Sequence, residues 1–195
     1  MWLSVAFVIV VVAATVIGLS GGGSTHYAGG STSGDLVIPT VPPASLVGLP
    51  ANPQGLGLNS EWKTFATHLA AASSSSFASV YGVYPPVADP TTQSFFVFAA
   101  QPYGGTGNVD EGAAALINKF RSAAAQTPGA HVTYLPPRSS IADGRIYCIG
   151  VSVPSGVQGE CDWASGSSIV DAFTFSDALP VVRGLTEKIV SELQG

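Results

Sequence analysis

Residues 145–165 read RIYCIGVSVPSGVQGECDWAS. Strand-forming residues lie on both sides of a Pro-Ser dipeptide, and this pattern is typical of two β-strands joined by a tight turn. Placing Val153 opposite Gly156 also brings Cys148 opposite Cys161, because opposed residues in a hairpin are the same number of residues away from the turn. The pairing holds for a loop of two or four residues, whereas a three-residue loop with its glycine in a bulge would shift it by one position.

The chain has only two cysteines, Cys148 and Cys161, with twelve residues between them. A cysteine pair in a domain on the oxidising side of a membrane is typical of a disulfide, so we predict that the two are bonded. Structural zinc sites need about four ligands, often with closely spaced cysteines, and the histidines are scattered at His26, His68 and His131. The sequence therefore predicts neither a metal site nor a cofactor.

Further strand-forming runs flank this hairpin. Residues 77–84 (FASVYGVY) and 93–100 (QSFFVFAA) are expected to form a second hairpin, and the latter run is apolar on both faces, as in a central strand. Residues 168–175 (SIVDAFTF) are expected to add one more strand after the cysteine hairpin. A loop containing Pro136 and Pro137 is expected before the cysteine hairpin. These runs predict about five strands.

Three helices are expected from apolar stripes at helical spacing. The first covers residues 59–72, the second follows a capping box of Asn108 and Glu111, and the last is capped by Ser176 or Asp177. Their core-facing residues are Trp62, Phe65, Leu69 and Ala72 in the first, Ala113, Leu116, Ile117, Phe120 and Ala124 in the second, and Val182, Leu185, Ile189 and Leu193 in the third. The order of elements predicts an α+β fold, an antiparallel sheet of about five strands with helices packed on one face.

The amino-terminal segment, residues 2–19 (WLSVAFVIVVVAATVIGL), contains no charged side chain. As a helix it would span about 27 Å, close to the hydrocarbon thickness of a bilayer. We predict that residues 1–19 are an uncleaved transmembrane anchor. A cleaved signal peptide and a buried core helix are the alternatives, but the run is long for a signal peptide and has no basic segment before it.

The rest of the chain divides into a tether and a domain. Residues 20–54 are rich in Gly and Ser at first and in Pro and apolar residues later, so we predict a tether whose second half is stiff enough to lie against the domain. Only one residue precedes the apolar run, which favours a cytoplasmic amino end. Residues 55–195 would then be an extracytoplasmic domain of a single-pass protein of the cell membrane.

The phrase Cys161-Asp162-Trp163-Ala164-Ser165, after a cysteine in the preceding strand and before a further strand, resembles a group of actinobacterial single-span membrane proteins. Their pattern is a cysteine, a turn, then C-x-W-A-D and a short strand, with a final helix. They also carry a phrase similar to the Pro-x-Ser-Leu-x-Gly-Leu-Pro of residues 43–50. Ser165 stands where the group usually has Asp. The resemblance implies a small extracytoplasmic α+β domain in the cell envelope and no particular activity.

Two short motifs suggest chemistry without completing it. The glycine-rich loop at residues 104–107 lacks the Lys-Ser/Thr of a phosphate-binding loop, and Asp110 and Glu111 would repel an anion there. Residues 150–154 (GVSVP) approach the nucleophile elbow G-x-S-x-G, but they join two strands and end in Pro154. We predict no catalytic residues.

A possible binding surface comprises Trp163, Asp162 and Tyr147, although packing beside the disulfide is the simpler role for Trp163. Asp162 and Glu160 alternate with the apolar residues of their strand, a pattern typical of a solvated strand face.

The charge of the chain restricts its partners. The net charge is −5, and basic runs are lacking, so nucleic acid is not an expected partner. The expected partners are the membrane, through residues 2–19, and another envelope or membrane-complex protein. We therefore expect a non-catalytic binding or accessory protein of the cell envelope. The alternative is an envelope enzyme, similar to a hydrolase, whose active site is assembled from dispersed residues.

Overall fold

A computed structural model describes residues 36–52, 75–83, 94–101, 128–154, 156–165, 168–175 and 178–194, and the single positions 67, 118, 121, 122, 125 and 126. Its elements are β1 (Ser45–Leu46), β2 (Leu49–Pro50), β3 (Ser75–Gly82), β4 (Ser94–Gln101), β5 (His131–Ser139), β6 (Arg145–Val153), β7 (Gly156–Ala164), β8 (Ile169–Thr174) and the helix α1 (Leu179–Leu193). The predicted α+β class, an antiparallel sheet with a carboxy-terminal helix, is thus confirmed.

The main sheet has six strands in the order β3-β4-β8-β7-β6-β5, and all neighbours are antiparallel. Its β6–β7 hairpin places Val153 opposite Gly156 and Cys148 opposite Cys161, which is the shortest of the loops that the sequence left open. The two cysteines form a disulfide whose Cα atoms are 4.1 Å apart. Opposed residues of an antiparallel pair lie about this close where they exchange no backbone hydrogen bonds. The predicted β3–β4 hairpin is also present.

The prediction of a loop at Pro136 and Pro137 is wrong, because both residues lie in β5 at the edge of the sheet. A proline without an N–H group is tolerated in an edge strand, whose outer side needs no hydrogen bond. The register between β5 and β6 shifts between Leu135 and Arg138, so a bulge accommodates the two prolines. This sixth strand explains the difference from the five that the sequence predicts.

A tight turn of residues 141–144 connects β5 to β6. Ala142 and Asp143 both have positive φ angles, of 55° and 53°, and the N–H of Gly144 donates to the carbonyl of Ile141. Two successive left-handed residues define the type I′ turn, whose twist matches that of a β-hairpin. The turn fixes the carbonyl of Ile141 over the sheet, where Trp163 Nε1 donates to it at 3.0 Å.

The two faces of the main sheet carry different side chains. The helix face packs against α1 and carries Cys148, Cys161 and Trp163. The opposite face, here called the acidic face, carries Asp162 and Glu160 together with apolar residues of the other strands. Strand β4 is buried on both of its faces, as the sequence predicts for a central strand.

Helix α1 covers the helix face of β6, β7 and β8. Its N-cap is Ala178, which provides no side-chain cap, so the prediction that Ser176 or Asp177 is the N-cap is wrong. Pro180 lies in the first turn of α1, where proline is favoured because the N–H groups have no intrahelical acceptor. The predicted core residues Val182, Ile189 and Leu193 are buried, and Leu185 is half-buried against the same core.

Residues 36–52, here called the strap, pack on the helix face. Leu36, Ile38 and Leu46 are buried in the core beside α1, and the N–H of Val37 donates to the carbonyl of Leu193. At its other end, the strap forms a bridge to β3 through Ala51. This part of the predicted tether is therefore docked on the domain, as its stiff, apolar sequence allowed.

Other sequence predictions concern residues outside the described ranges. They are the membrane segment at 2–19, the Gly/Ser-rich part of the tether, the glycine-rich loop at 104–107 and most of the first two predicted helices. Helical backbone occurs at the described positions 67, 118, 121, 122 and 125, which fall within those predicted helices. Within the part of the chain described, no helix is long and apolar enough to cross a bilayer.

Candidate functional site

Three carboxylates from two neighbouring strands meet on the acidic face. Glu160 and Asp162 are two residues apart in β7, so their side chains leave the same face of the strand. Asp171 in β8 is directly opposite Asp162 in the register. One oxygen from each of the three side chains can be chosen so that all lie within 4.8 Å of one another. We call this group the carboxylate cluster.

The carboxylate cluster is closed to solvent. Glu160 and Asp162 are each 3% exposed and Asp171 is 2% exposed. Both oxygens of Asp171, one oxygen of Asp162 and one of Glu160 are buried without a hydrogen-bond partner. Buried polar atoms are nearly always hydrogen-bonded, and each exception costs about 1–3 kcal/mol. Four unpartnered carboxylate oxygens at one place are therefore an unusual feature that needs a specific explanation.

Burial and mutual repulsion change the acidity of the cluster. Burial, followed by the charges of Asp171 and Asp162, raises the pKa of Glu160 well above its usual value. Burial and the charge of Asp162 do the same to the pKa of Asp171. Burial raises the pKa of Asp162 to about 7, and a hydrogen bond from Tyr147 limits that rise. Without a positive charge, the cluster therefore holds protons at neutral pH.

Tyr147 completes the site from the neighbouring strand. It lies in β6 directly opposite Asp162, so Tyr147, Asp162 and Asp171 form one row across three strands. Burial and the nearby carboxylates raise the pKa of the Tyr147 hydroxyl well above its usual value, which keeps it protonated and able to donate to Asp162. The row therefore places one neutral phenol donor beside two buried carboxyl groups.

The predicted binding surface of Trp163, Asp162 and Tyr147 is not a surface. Asp162 and Tyr147 share the acidic face, whereas Trp163 lies on the helix face, and all three are buried. Trp163 packs in the same core as the disulfide, so its role is structural, in agreement with the simpler of the two interpretations. The prediction that Glu160 and Asp162 form a solvated strand face is also wrong, because both side chains are buried.

Asp171 is the member of the site that the sequence analysis missed. It is placed in an apolar strand, SIVDAFTF, where a single acid among residues buried on both faces is unusual. That contrast was a usable signal. It could not show which carboxylates Asp171 would meet, because strand β8 is inserted between β4 and β7 only by the tertiary pairing.

The other candidate residues do not converge on a catalytic site within the described residues. Ser152, from the near match to a nucleophile elbow, lies in β6 just before a strand-to-strand turn, opposite His131 in β5. A nucleophile elbow instead requires a strained strand-to-helix turn. His26 and His68 lie outside the described residues.

Comparison with protein-family models, with curated protein sequences and with solved structures found no match for this chain. The resemblance to actinobacterial membrane proteins therefore stays a prediction.

Proposed function

We propose that this chain is a membrane-anchored accessory protein whose domain works outside the cytoplasm and binds another envelope protein. The observation that carries the proposal is the Cys148–Cys161 disulfide. Structural disulfides form and persist in oxidising compartments and are rare in the cytosol. The uncharged segment at residues 2–19, with its length close to that of a membrane span, supplies the anchor in this proposal.

The inaccessibility of the buried carboxylates favours a binding role over the enzyme alternative. The carboxylate cluster is sealed beneath the surface, where a substrate has no access to it. The described part of the chain offers no open arrangement of nucleophile, base and orienting group. An enzyme needs such groups in contact with solvent and substrate.

The most exposed strand of the main sheet is β5, and we assign the partner contact to it. Tyr134 at its centre is 42% exposed and lies under the guanidinium of Arg121, whose Cζ is 4.7 Å from the ring centroid. Exposed tyrosine and arginine are enriched where proteins bind one another. Pro136 and Pro137 protect the outer edge from unspecific strand pairing, which leaves the side chains of β5 as the contact surface.

Site-specific photo-crosslinking in native membranes tests this function. A photoreactive phenylalanine analogue at position 134 replaces one exposed aromatic ring by another, and the same analogue at position 181, where Val181 of α1 is 67% exposed, is the matched control. We expect a discrete adduct from position 134 and none from position 181. Adducts of equal intensity from both positions, or none from either, would contradict the assignment.

A further inference from the structure

We propose that Glu160, Asp162 and Asp171 bind one divalent cation of about the size of Ca²⁺. The cluster offers oxygen from three separate side chains, all within 4.8 Å of one another. Ca²⁺ is held by oxygens at about 2.3–2.6 Å, so two oxygens on opposite sides of the ion are about 5 Å apart. One ion can therefore contact all three carboxylates with small side-chain adjustments.

The unpartnered oxygens are a second, independent indication of a bound ion. Asp171 is 2% exposed, and neither of its oxygens has a hydrogen-bond partner. Glu160 and Asp162 also keep one unpartnered oxygen each. A cation on these oxygens would satisfy them together.

The charge balance favours a cation as well. The cluster brings the carboxyl groups of three acidic side chains within 4.8 Å of one another. Three ionised carboxylates carry a charge of −3, and burying that charge alone is very unfavourable. A divalent cation reduces it to −1, and the Tyr147 hydroxyl supports the remainder by donating to Asp162.

The chemistry of the donors selects the kind of cation. All the side chains of the cluster offer oxygen, which hard cations such as Ca²⁺, Mg²⁺ and Mn²⁺ prefer. Both cysteines are used in the disulfide on the other face of the sheet. Because the cluster is closed to solvent, the ion would enter during folding or through local opening, and its role would be to hold β7 and β8 together. This inference does not depend on the proposed function.

The test uses the full chain, purified in detergent without chelators. Bound metals are counted by elemental analysis, the protein is stripped with EDTA at about pH 5, where protons compete for the carboxylates, and CaCl₂, MnCl₂ or MgCl₂ is then titrated at neutral pH. We expect one cation per chain before stripping. We also expect the melting temperature to rise by about 5–10 °C when the cation is about 100-fold above its Kd.

Two variants of the cluster and one control assign the effect to this site. Asp171→Asn and Glu160→Gln should each lose the bound cation and the thermal shift. Glu192→Gln, which changes an exposed side chain at the far end of α1 and keeps an oxygen that can accept from the Val47 N–H, should keep both. The proposal is overturned if the wild type binds none of the three cations and its melting temperature does not respond to them. It is equally overturned if the melting temperature of Asp171→Asn or Glu160→Gln responds to the cation like that of the wild type. If neither variant folds, the wild-type titration decides by itself.

Discussion

At the scale of single residues, Glu160 and Asp162 show how far alternation in a strand can be interpreted. Their placement on the face opposite Cys161 follows from the two-residue period of a β-strand and could be predicted. Whether that face meets water depends on what packs over it, and local sequence does not carry this information. Tyr147 and Ile149 on the same face gave a hint, because apolar and aromatic residues beside the acids indicate a covered face.

The carboxylate cluster predicts an unusual dependence of stability on pH. The pKa of Asp162 is about 7 in the folded chain and near its ordinary value when unfolded, so the folded state binds more protons between about pH 4 and pH 7. Cation-free protein should therefore lose stability as pH rises through this range. The loss is about 1.4 kcal/mol per pH unit for each group that is protonated in the folded chain and ionised in the unfolded chain. Glu160 and Asp171 should extend the loss to higher pH.

Thermal unfolding of EDTA-treated protein from about pH 5 to pH 8 measures this slope. Asp171→Asn should flatten it, because one titrating group is removed, whereas Glu192→Gln should leave it unchanged. A cation-free wild type that becomes more stable as pH rises through neutrality would show that the carboxylates are not buried as described.

Gly144 is the residue whose small size the fold needs most directly. A Cβ atom there would lie 2.1 Å from Cε2 of Trp163, and that indole is buried and held by the carbonyl of Ile141. Gly144→Ala should therefore lower the free energy of unfolding by about 1–3 kcal/mol through overpacking. Gly156→Ala is the matched control, because nothing lies within 4 Å of its added Cβ, and it should change stability by no more than about 0.5 kcal/mol. Chemical denaturation compares the two, and equal effects would refute the close packing.

At the scale of elements, the two strands of the β6–β7 hairpin could be predicted and β5 could not. The hairpin is defined by local signals, namely a two-residue Pro-Ser loop and a cysteine pair at matching distances from it. Pro136 and Pro137 argue against a strand in any local analysis, and only the edge position of β5 makes them compatible with one. The strap is intermediate, since its apolar residues suggested contact with the domain but not the partners that Leu36 and Leu46 find beside α1.

The disulfide should stabilise this hairpin and the core beneath α1. Closing a loop of 13 residues is worth about 3 kcal/mol in the chain-entropy model. Cys148→Ser should accordingly lower the melting temperature relative to oxidised wild type. Reduced wild type should melt at about the same temperature as the variant. Because the reduced protein lacks the bond but keeps both sulfur atoms, it is the matched control for the loss of a buried sulfur. Identical melting of oxidised and reduced wild type would show that the bond does not form.

At the scale of the whole molecule, the inner strands of the main sheet are buried on both faces, whereas β5 is exposed. Helix α1 and the strap close the helix face, and the cluster is closed on the acidic face. The α+β class followed from the order of helical and strand patterns. The position of β8 between β4 and β7 did not, because it depends on long-range pairing that brings Asp171 beside Asp162. The fold was therefore more predictable than the site, since the site requires a contact between distant segments.

The same scale includes the relation of the domain to a membrane, on which the proposed function depends. An apolar leading segment that stays in the bilayer would export the domain and allow the Cys148–Cys161 bond to form and persist. The most direct measurement is the activity, in intact cells, of a carboxy-terminal reporter enzyme that is active only outside the cytoplasm. We expect full reporter activity from the complete chain and its loss when residues 2–19 are deleted. A complete chain that gives no reporter activity, with the fusion protein recovered in the cytosol, would contradict this topology.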